Sequence, residues 1–200
     1  SCGTDYFCEI SSITEDTVFL NIKEQKLCSA EPSVDLTLFQ AIPKQDKLEH
    51  IIQKSVELGV SKIVPVLTRR CVSRPDKKDF EKKLVRLNKI ALEAAKQSGR
   101  GIIPTVEPMI SFDEAIIQMK EYDCPAMLYE EGGIRFSELN TQEKKSFALF
   151  VGSEGGFDES EAEAAREAGI ASIWLGERIL RCETAPLTAI SILMFITKNL

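Results

Sequence analysis

The sequence predicts an α/β domain built on a mainly parallel sheet. From residue 46 onward, apolar runs of strand length alternate with segments of helical periodicity, and glycines or helix caps separate them. The strand-length runs are almost continuously apolar, which is typical of a sheet covered on both faces. Alternating strands and helices of this kind favour a layered α/β structure, and 200 residues suffice for one full core or two small ones.

The segment before residue 43 is predicted to be β-structure without helices. Residues 6–10, residues 18–22 and Asp35–Ala41 are short runs rich in β-branched, aromatic or alternating apolar side chains, separated by polar turn residues. So few residues make only a piece of a small sheet or barrel. Because the chain also lacks a starting Met and begins within this pattern, we expect sequence to precede it.

The remaining elements follow in order along the chain. We expect helices over residues 46–58, 80–95, 111–122, 158–168 and 186–196, and strands over residues 60–67, 102–106, 126–129, 147–151 and 173–175. Gly59 is placed to end the first helix, Ser111 and Glu114 form a capping box, and Pro186 is predicted at the first position of the last helix.

Charge is distributed unevenly along the chain. The 25 basic and 31 acidic side chains give a net charge of −6, which taken alone argues against a nucleic-acid partner. Within residues 62–100, however, 12 basic and 4 acidic side chains give a balance of +8, whereas residues 101–200 hold 8 basic and 17 acidic side chains. An acidic chain therefore contains one strongly basic segment.

The six cysteines are interpreted as reduced, buried thiols of a cytoplasmic protein. They are scattered through apolar stretches without a C-x-x-C pair, and the chain has one histidine, so no metal site is expected. No apolar run approaches the roughly 18–20 residues of a membrane span, and a signal-peptide pattern is absent. We therefore expect no membrane association. The cysteines are Cys2, Cys8, Cys28, Cys71, Cys124 and Cys182.

The first candidate site is a glycine loop between a buried strand and a helix. Residues 149–161 read LFVGSEGGFDESE, and three glycines in five positions let the backbone approach a ligand closely. Loops at the carboxyl ends of strands are where open α/β sheets bind ligands. The spacing fits no phosphate motif and the loop is acidic, which favours a neutral or cationic ligand over phosphate. The simpler alternative is a tight strand–helix turn.

The second candidate site is the connection over residues 175–186, which reads LGERILRCETAP. It combines a glycine, two arginines and two acids between a strand and a helix. A connection of this length is often functional, and the alternative is a loop stabilised by its own Arg–Glu pairs.

Together these segments closely resemble the RsmE family, the 16S ribosomal RNA uridine-N3 methyltransferases of the SPOUT superfamily. Residues 152–157 (GSEGGF) and 175–185 (LGERILRCETA) carry the resemblance, and residues 54–60 (KSVELGV) and 94–100 (AAKQSGR) agree with it. One departure is Ser153, where the family usually has proline. We expect a slightly looser loop here, because serine lacks the fixed φ of proline.

The resemblance implies a SPOUT fold with a C-terminal deep trefoil knot, S-adenosylmethionine as cofactor and a homodimer formed through the knotted domain. It implies that residues 1–42 are the remnant of a PUA-like RNA-binding barrel and that residues 43–200 form the methyltransferase domain. The cofactor is then expected among three loops. Their residues are Leu128, Tyr129, Glu130, Val151, Gly152, Ser153, Glu154, Gly155, Gly156, Leu175, Gly176, Ile179, Leu180, Arg181 and Thr184.

The implied reaction is attack of uridine N3 on the methyl carbon of the sulfonium. Because the N3–H of uracil is a weak acid, the site must remove this proton or stabilise the developing anion. Arg181 is the leading candidate for stabilisation, with Arg178 second. Glu154 and Glu183 could each act as a general base or orient Arg181, and the orienting role is favoured for Glu183. His50 is interpreted as an ordinary surface or core histidine.

The implied partner is 16S ribosomal RNA in the small ribosomal subunit. Arg69, Arg70, Arg74 and Arg100, all in the basic segment, are expected to contact RNA phosphates, whereas the helix lysines are interpreted as a solvated face.

Three alternatives stay open. A non-catalytic SPOUT module that binds S-adenosylmethionine is disfavoured by the intact Arg181, Glu183 and Thr184. A SPOUT enzyme acting on transfer RNA or on a ribose 2′-oxygen is disfavoured by the motifs at residues 54–60 and 97–100. An enzyme for a phosphorylated metabolite is disfavoured by the acidic glycine loop.

Overall fold

The computed structural model describes residues 3–200 of the chain. The strands are β1 Thr4–Ile13, β2 Val18–Leu27, β3 Asp35–Ala41, β4 Lys62–Leu67, β5 Thr105–Val106, β6 Ile110–Ser111, β7 Cys124–Leu128, β8 Ser146–Val151 and β9 Ala171–Ile173. The helices are α1 Lys47–Glu57, α2 Lys77–Gln97, α3 Phe112–Met119, α4 Glu159–Glu167 and α5 Thr184–Ile196, with a 3-10 turn at Phe136–Glu138.

Seven strands form one sheet, and within residues 3–200 all of its ladder pairings are parallel, which confirms the mainly parallel α/β sheet. The order is β5-β4-β3-β8-β7-β9, with β6 also pairing with β4. Along β8, Phe147 and Leu149 belong to one buried cluster, and Ala148 and Phe150 to another. Both faces are therefore covered, which explains why this strand is continuously apolar.

The position of β3 corrects the domain boundary placed at residue 42. β3 lies between β4 and β8, with Leu38 opposite Ile63 on one side and Leu149 on the other. Residues 35–41 therefore belong to the centre of the α/β sheet and not to the N-terminal β segment. The error has a simple cause: the parallel partners of this strand lie far along the chain, so its own pattern cannot show which sheet it joins.

β1 and β2 form a separate antiparallel ribbon. Its large apolar side chains are exposed to solvent, which is unusual because a two-stranded ribbon has little stability without a covered face. These side chains are Tyr6, Phe7, Ile10, Ile13, Val18, Phe19, Leu20, Ile22 and Leu27. The ribbon is joined to the α/β domain near Gly3, whose N–H donates to Gly101 and whose carbonyl accepts from Cys28.

Several element boundaries differ from the predictions. α5 begins at Thr184, so Pro186 lies in its first turn, where the missing N–H still costs no helical hydrogen bond. The strand expected over residues 102–106 is reduced to β5, and β9 ends at Ile173. The capping box of Ser111 and Glu114 is confirmed, and Asp158 forms a second one with Glu161 at the start of α4.

The connection between β7 and β8 passes round β9. β8 pairs with one side of β7 and β9 with the other, yet Ile134 in the connection bridges Ile173 on the far side of β9. The Ile134 N–H donates to the Ser172 carbonyl, and the Trp174 N–H donates to the Ile134 carbonyl. Gly133 makes this close approach possible, since a Cβ there would overlap the Ser172 carbonyl.

The described cysteines are free, and Cys28, Cys71, Cys124 and Cys182 are buried as predicted. Cys8 is exposed on the ribbon, contrary to the expectation, and Cys2 lies outside the described residues. Within residues 3–200, none of the helices has both the length and the apolar character that crossing a membrane requires.

Candidate active site

A cavity of about 580 Å³ lies beside the carboxyl ends of β7, β8 and β9. Its wall is formed by residues 128–130, residues 151–156 and residues 173–182, together with Lys47 and Ala185. We call residues 152–156 the glycine loop and residues 174–183 the third loop. The carboxyl edge of a parallel sheet is where such folds bind ligands, and this volume suits a small molecule.

The cavity gathers all the residues predicted to bind the cofactor except Thr184. Thr184 is exposed at the start of α5. Glu183 does not line the cavity itself but contacts Lys47, which does. Lys47, Trp174 and Cys182 line the cavity and were not among the predicted site residues.

The glycine loop turns sharply because of its own backbone. The Gly156 N–H donates to the Ser153 carbonyl at 3.0 Å, and Gly156 has φ 65°, in the left-handed region. A Cβ at Gly156 would overlap the carboxylate of Glu130. Glycine is therefore required here both by conformation and by the close approach of Glu130.

Two neighbouring segments hold the glycine loop from outside the cavity wall. The Gln40 side chain, at the end of β3, donates from Nε2 to the Gly152 carbonyl at 3.2 Å. The Ser153 hydroxyl donates to the Arg70 carbonyl at 3.3 Å, which ties the glycine loop to the loop after β4. This second contact replaces, with a hydrogen bond, part of the stiffness that proline would give at this position.

The two candidate general bases are both held as carboxylates. Lys47 Nζ lies 3.2 Å from Glu154 Oε1 and 3.1 Å from Glu183 Oε2. Burial alone would raise the pKa of Glu183, but hydrogen bonds from Cys182 and Lys47 outweigh it and leave the pKa below its usual value. For Glu154 burial is likewise outweighed, here by backbone N–H donors including that of Lys44 and by Lys47, so its pKa is also lowered. A lowered pKa makes each carboxylate a weak proton acceptor.

Glu183 contacts a different residue from the one expected. Its ion-pair partner is Lys47, and within residues 3–200 neither carboxylate pairs with Arg181. The adjacent Cys182 thiol donates to Glu183 at 3.2 Å. Burial, followed by this hydrogen bond, raises the pKa of Cys182 to about 12, so the thiol stays protonated at neutral pH.

Arg181 lies on the cavity wall with a free guanidinium. Its carbonyl accepts from the N–H groups of Thr184 and Ala185, which fixes its backbone at the start of α5. Its side chain is exposed and forms no ion pair or hydrogen bond with any other residue in the described range 3–200. A guanidinium placed this way can bind an incoming anionic or carbonyl oxygen.

Three of the four arginines expected to contact RNA are exposed near the glycine loop. Arg69 and Arg70 lie 3.6 and 3.7 Å from the two carboxylate oxygens of Asp158, with side chains 68% and 42% exposed. Arg70 also donates to the Gly155 carbonyl at 3.3 Å. Arg74 donates to the carbonyls of its own loop, at Thr68, Arg69 and Cys71.

Arg100 has a structural position, which corrects the expectation that it contacts RNA. Its side chain is 3% exposed and pairs with Glu31 at 2.8 Å. It also donates to the carbonyls of Val56 and Val60, at 3.2 and 2.6 Å. A guanidinium this deeply buried and bonded has no face left for a phosphate group.

Comparison with known proteins identifies the family. A family profile described as an RNA methyltransferase domain matches residues 30–194. The ribosomal RNA small subunit methyltransferase E of Bacillus subtilis is 36% identical over 100% of this chain and 82% of its own length. This chain belongs to that family, RsmE.

Two solved structures agree with this membership. The ribosomal RNA small subunit methyltransferase E from Neisseria gonorrhoeae, bound to S-adenosyl methionine, superposes with a TM-score of 0.86 at 31% identity, covering 97% of this chain and 79% of that one. A putative methyltransferase from Legionella pneumophila, in complex with the cofactor SAM, has a TM-score of 0.85 at 30% identity with the same coverage. The profile begins at residue 30, which places β3 inside the methyltransferase domain as the sheet does.

Ser153 gives a direct test of how the glycine loop is stiffened. We expect Ser153→Ala to raise the Kd for S-adenosylmethionine about 3- to 10-fold, because it removes one hydrogen bond of ordinary strength. Ser153→Pro should keep the Kd within about threefold of wild type, since the fixed φ replaces the lost bond. Isothermal calorimetry measures both, and an alanine variant that binds as tightly as wild type would contradict the assigned role of the hydroxyl.

Proposed function

We propose that this chain transfers the methyl group of S-adenosylmethionine to N3 of a uridine in 16S ribosomal RNA of the small subunit. The observation that supports this most strongly is the cavity made by the three loops, in a chain of the RsmE family. Two solved relatives of similar fold are described with the same cofactor bound.

The residues present suit this cofactor. Leu128, Leu175 and Leu180 offer apolar surface for an adenine ring, and the glycine loop offers backbone groups for its polar edge. Lys47, the lysine on the cavity wall, is matched by two carboxylates, so it does not make the cavity a phosphate site. Bound S-adenosylmethionine supplies an electrophilic methyl group on a sulfonium.

In the proposed mechanism the chain's own residues act on the uracil. The bond from N3 to the methyl carbon forms as the bond from that carbon to sulfur breaks, and the N3 proton leaves to solvent or to a base. The free guanidinium of Arg181 stabilises the negative charge that develops on the uracil oxygens. The glycine loop and the third loop contribute by holding the two reactants in line.

The surface beside the cavity supports an RNA partner. Arg69, Arg70 and Arg74 follow β4, and the first two are tied to the glycine loop through Asp158 and the Gly155 carbonyl. We propose that these arginines bind phosphates of the substrate RNA. Binding should then weaken steeply with added salt.

We also propose that the domain is knotted and dimeric. The connection over residues 129–145 passes round β9, and the chain beyond β9 returns as α5 to pack on α1 and β8, which supports threading through that connection. α5 is apolar on all sides, and Phe195 is 70% exposed, as expected for a helix covered by a second copy. Sedimentation analysis that found a monomer at micromolar concentration would oppose the dimer.

The exposed apolar ribbon of β1 and β2 supports a further proposal, that it belongs to an RNA-binding PUA-like barrel. With β3 assigned to the sheet, the segment proposed for this barrel covers the residues before about 30. With a ribosomal substrate, we propose that the enzyme acts in the cytoplasm.

The decisive experiment is methyl transfer to purified 30S subunits. Subunits from cells that lack this modification are incubated with tritiated S-adenosylmethionine, and the label is mapped by primer extension, which stops at N3-methyluridine. We expect label at one uridine of 16S RNA. Transfer RNA is assayed in parallel, and label there, or on a ribose of 16S RNA, would overturn the proposed substrate. Cofactor binding without transfer to either RNA would indicate a non-catalytic module.

A further inference from the structure

The third loop has few attachments along its length. Within residues 3–200, no hydrogen bond or ion pair joins residues 175–180 to another part of the chain. The loop begins at Trp174, whose N–H donates to the Ile134 carbonyl, and ends at Cys182 and Glu183. Its position over the cavity therefore depends on these two ends.

Lys47 holds the second of these ends. From the first residue of α1, its ammonium group contacts Glu183 at 3.1 Å, the Cys182 sulfur at 3.8 Å and, on the glycine loop, Glu154 at 3.2 Å. One side chain thus connects three segments that are far apart in sequence.

The placement of Lys47 is unusual for a surface lysine. A cation in the first turn of a helix opposes the helix dipole, and this side chain is only 26% exposed. The ion pairs with two carboxylates compensate both for the unfavourable interaction with the helix dipole and for the partial burial of the charge. The hydrogen bonds that Lys47 donates, first to Glu183 and then to Glu154, raise the pKa of Lys47, so the ammonium form persists through the neutral range.

We propose that Lys47 is a positioning residue of the methyl-transfer site. By binding Glu154 and Glu183 at once, it fixes the third loop against the glycine loop and so places Arg181 at the cavity. The inference rests on the proposed function for the role of Arg181, whereas the fixing of the loop stands on the contacts alone.

Lys47→Met and Lys47→Arg separate this role from general stability. Lys47→Met should raise the Kd for S-adenosylmethionine at least about tenfold and lower kcat about 10²-fold, because a loop displaced by about 1 Å misaligns the reactants. Lys47→Arg can keep both ion pairs and should stay within about threefold of wild type in Kd. Lys120→Met removes the same charge from an exposed position directly after α3 and serves as the matched control.

The pH dependence of cofactor binding adds a readout that a loss of stability would not produce. The titratable groups facing Lys47 are Glu154, Cys182 and Glu183. The lowered pKa of each carboxyl and the raised pKa of Lys47 keep the wild-type pairs ionised from about pH 6 to 9. In Lys47→Met the carboxylates lose their cation, and their pKa values rise. The Kd of this variant for S-adenosylmethionine should therefore change as the pH falls toward 5, in contrast to that of the wild type.

The outcomes distinguish this inference from the proposed function. Wild-type protein that binds no S-adenosylmethionine would overturn the proposed function. Wild-type binding together with unchanged Kd, kcat and pH profile in Lys47→Met would overturn the inference alone. If Lys47→Met unfolds, Lys47→Gln takes its place. The Lys47→Arg variant then tests the ion pairs directly. A folded arginine variant that failed to restore binding would also contradict the role of the ion pairs.

Discussion

Arg181→Ala is expected to lower kcat for methyl transfer about 10²- to 10³-fold, the usual cost of removing one stabiliser of a developing anion. The Kd for S-adenosylmethionine should stay within about threefold. The reason is structural: the Arg181 backbone is held by Thr184 and Ala185, whereas its guanidinium is free of partners within residues 3–200. Single-turnover assays on 30S subunits and calorimetry measure the two quantities separately.

Two further arginine variants make this prediction specific. Arg178→Ala alters the other arginine of the third loop, which is also exposed, and should have the smaller effect on kcat. Arg166→Ala removes an exposed arginine of α4, outside the cavity lining, and controls for loss of charge. Arg181 has no catalytic role if its alanine variant turns over like the Arg166 variant.

Arg100→Ala should destabilise the fold by about 3–5 kcal/mol, because it leaves the carboxylate of Glu31 buried without its cation. Glu31 is only 14% exposed, and it also accepts a hydrogen bond from the Ile102 N–H at 2.9 Å. Adding Glu31→Gln to Arg100→Ala should recover part of this loss. Urea denaturation of the full chain measures the free energy of unfolding for each variant.

The same variant decides between a structural and an RNA-binding role for Arg100. Loss of one phosphate contact would reduce the salt dependence of RNA binding by about one ion, and we expect no such change. Arg86→Ala is the comparison for stability, since its pair with Glu49 is 69% exposed on the arginine side and should cost about 1 kcal/mol or less. Equal destabilisation by the two substitutions would contradict the assignment.

The sequence predicts the class of fold well because the signals for it are local. The continuous apolar run of β8 and the helix cap of α3 depend on neighbouring residues, and the structure agrees with both of them. β3 is different. Its pattern shows a strand, but its place at the centre of the sheet depends on β8, more than a hundred residues later. The sequence also cannot show that the apolar side chains of the ribbon are exposed, because exposure depends on which distant segments pack against them.

In the candidate site, too, the sequence predicts the parts that have local signals and misses the parts that do not. The glycine loop and the third loop carry motifs, so the sequence identifies them, and the structure brings them to one cavity. Lys47 carries no motif, and a cation in the first turn of a helix is the one signal that could have drawn attention to it. Arg100 belongs to a recognised motif, but a motif does not reveal whether a guanidinium faces solvent or the buried Glu31.

The path of the connection round β9 affects when, during its synthesis, this protein becomes able to bind a ligand in the cavity. β9 must take its place between β7 and Ile134 before Trp174 can donate to the Ile134 carbonyl. The third loop and α5 follow β9 in the chain, so the cavity closes only after these two segments have also emerged from the ribosome. A nascent chain can thus build most of the sheet while still unable to hold a ligand there. Once the cavity has closed, a bound ligand would stabilise the finished fold by about 2.7 kcal/mol at a hundred times its Kd.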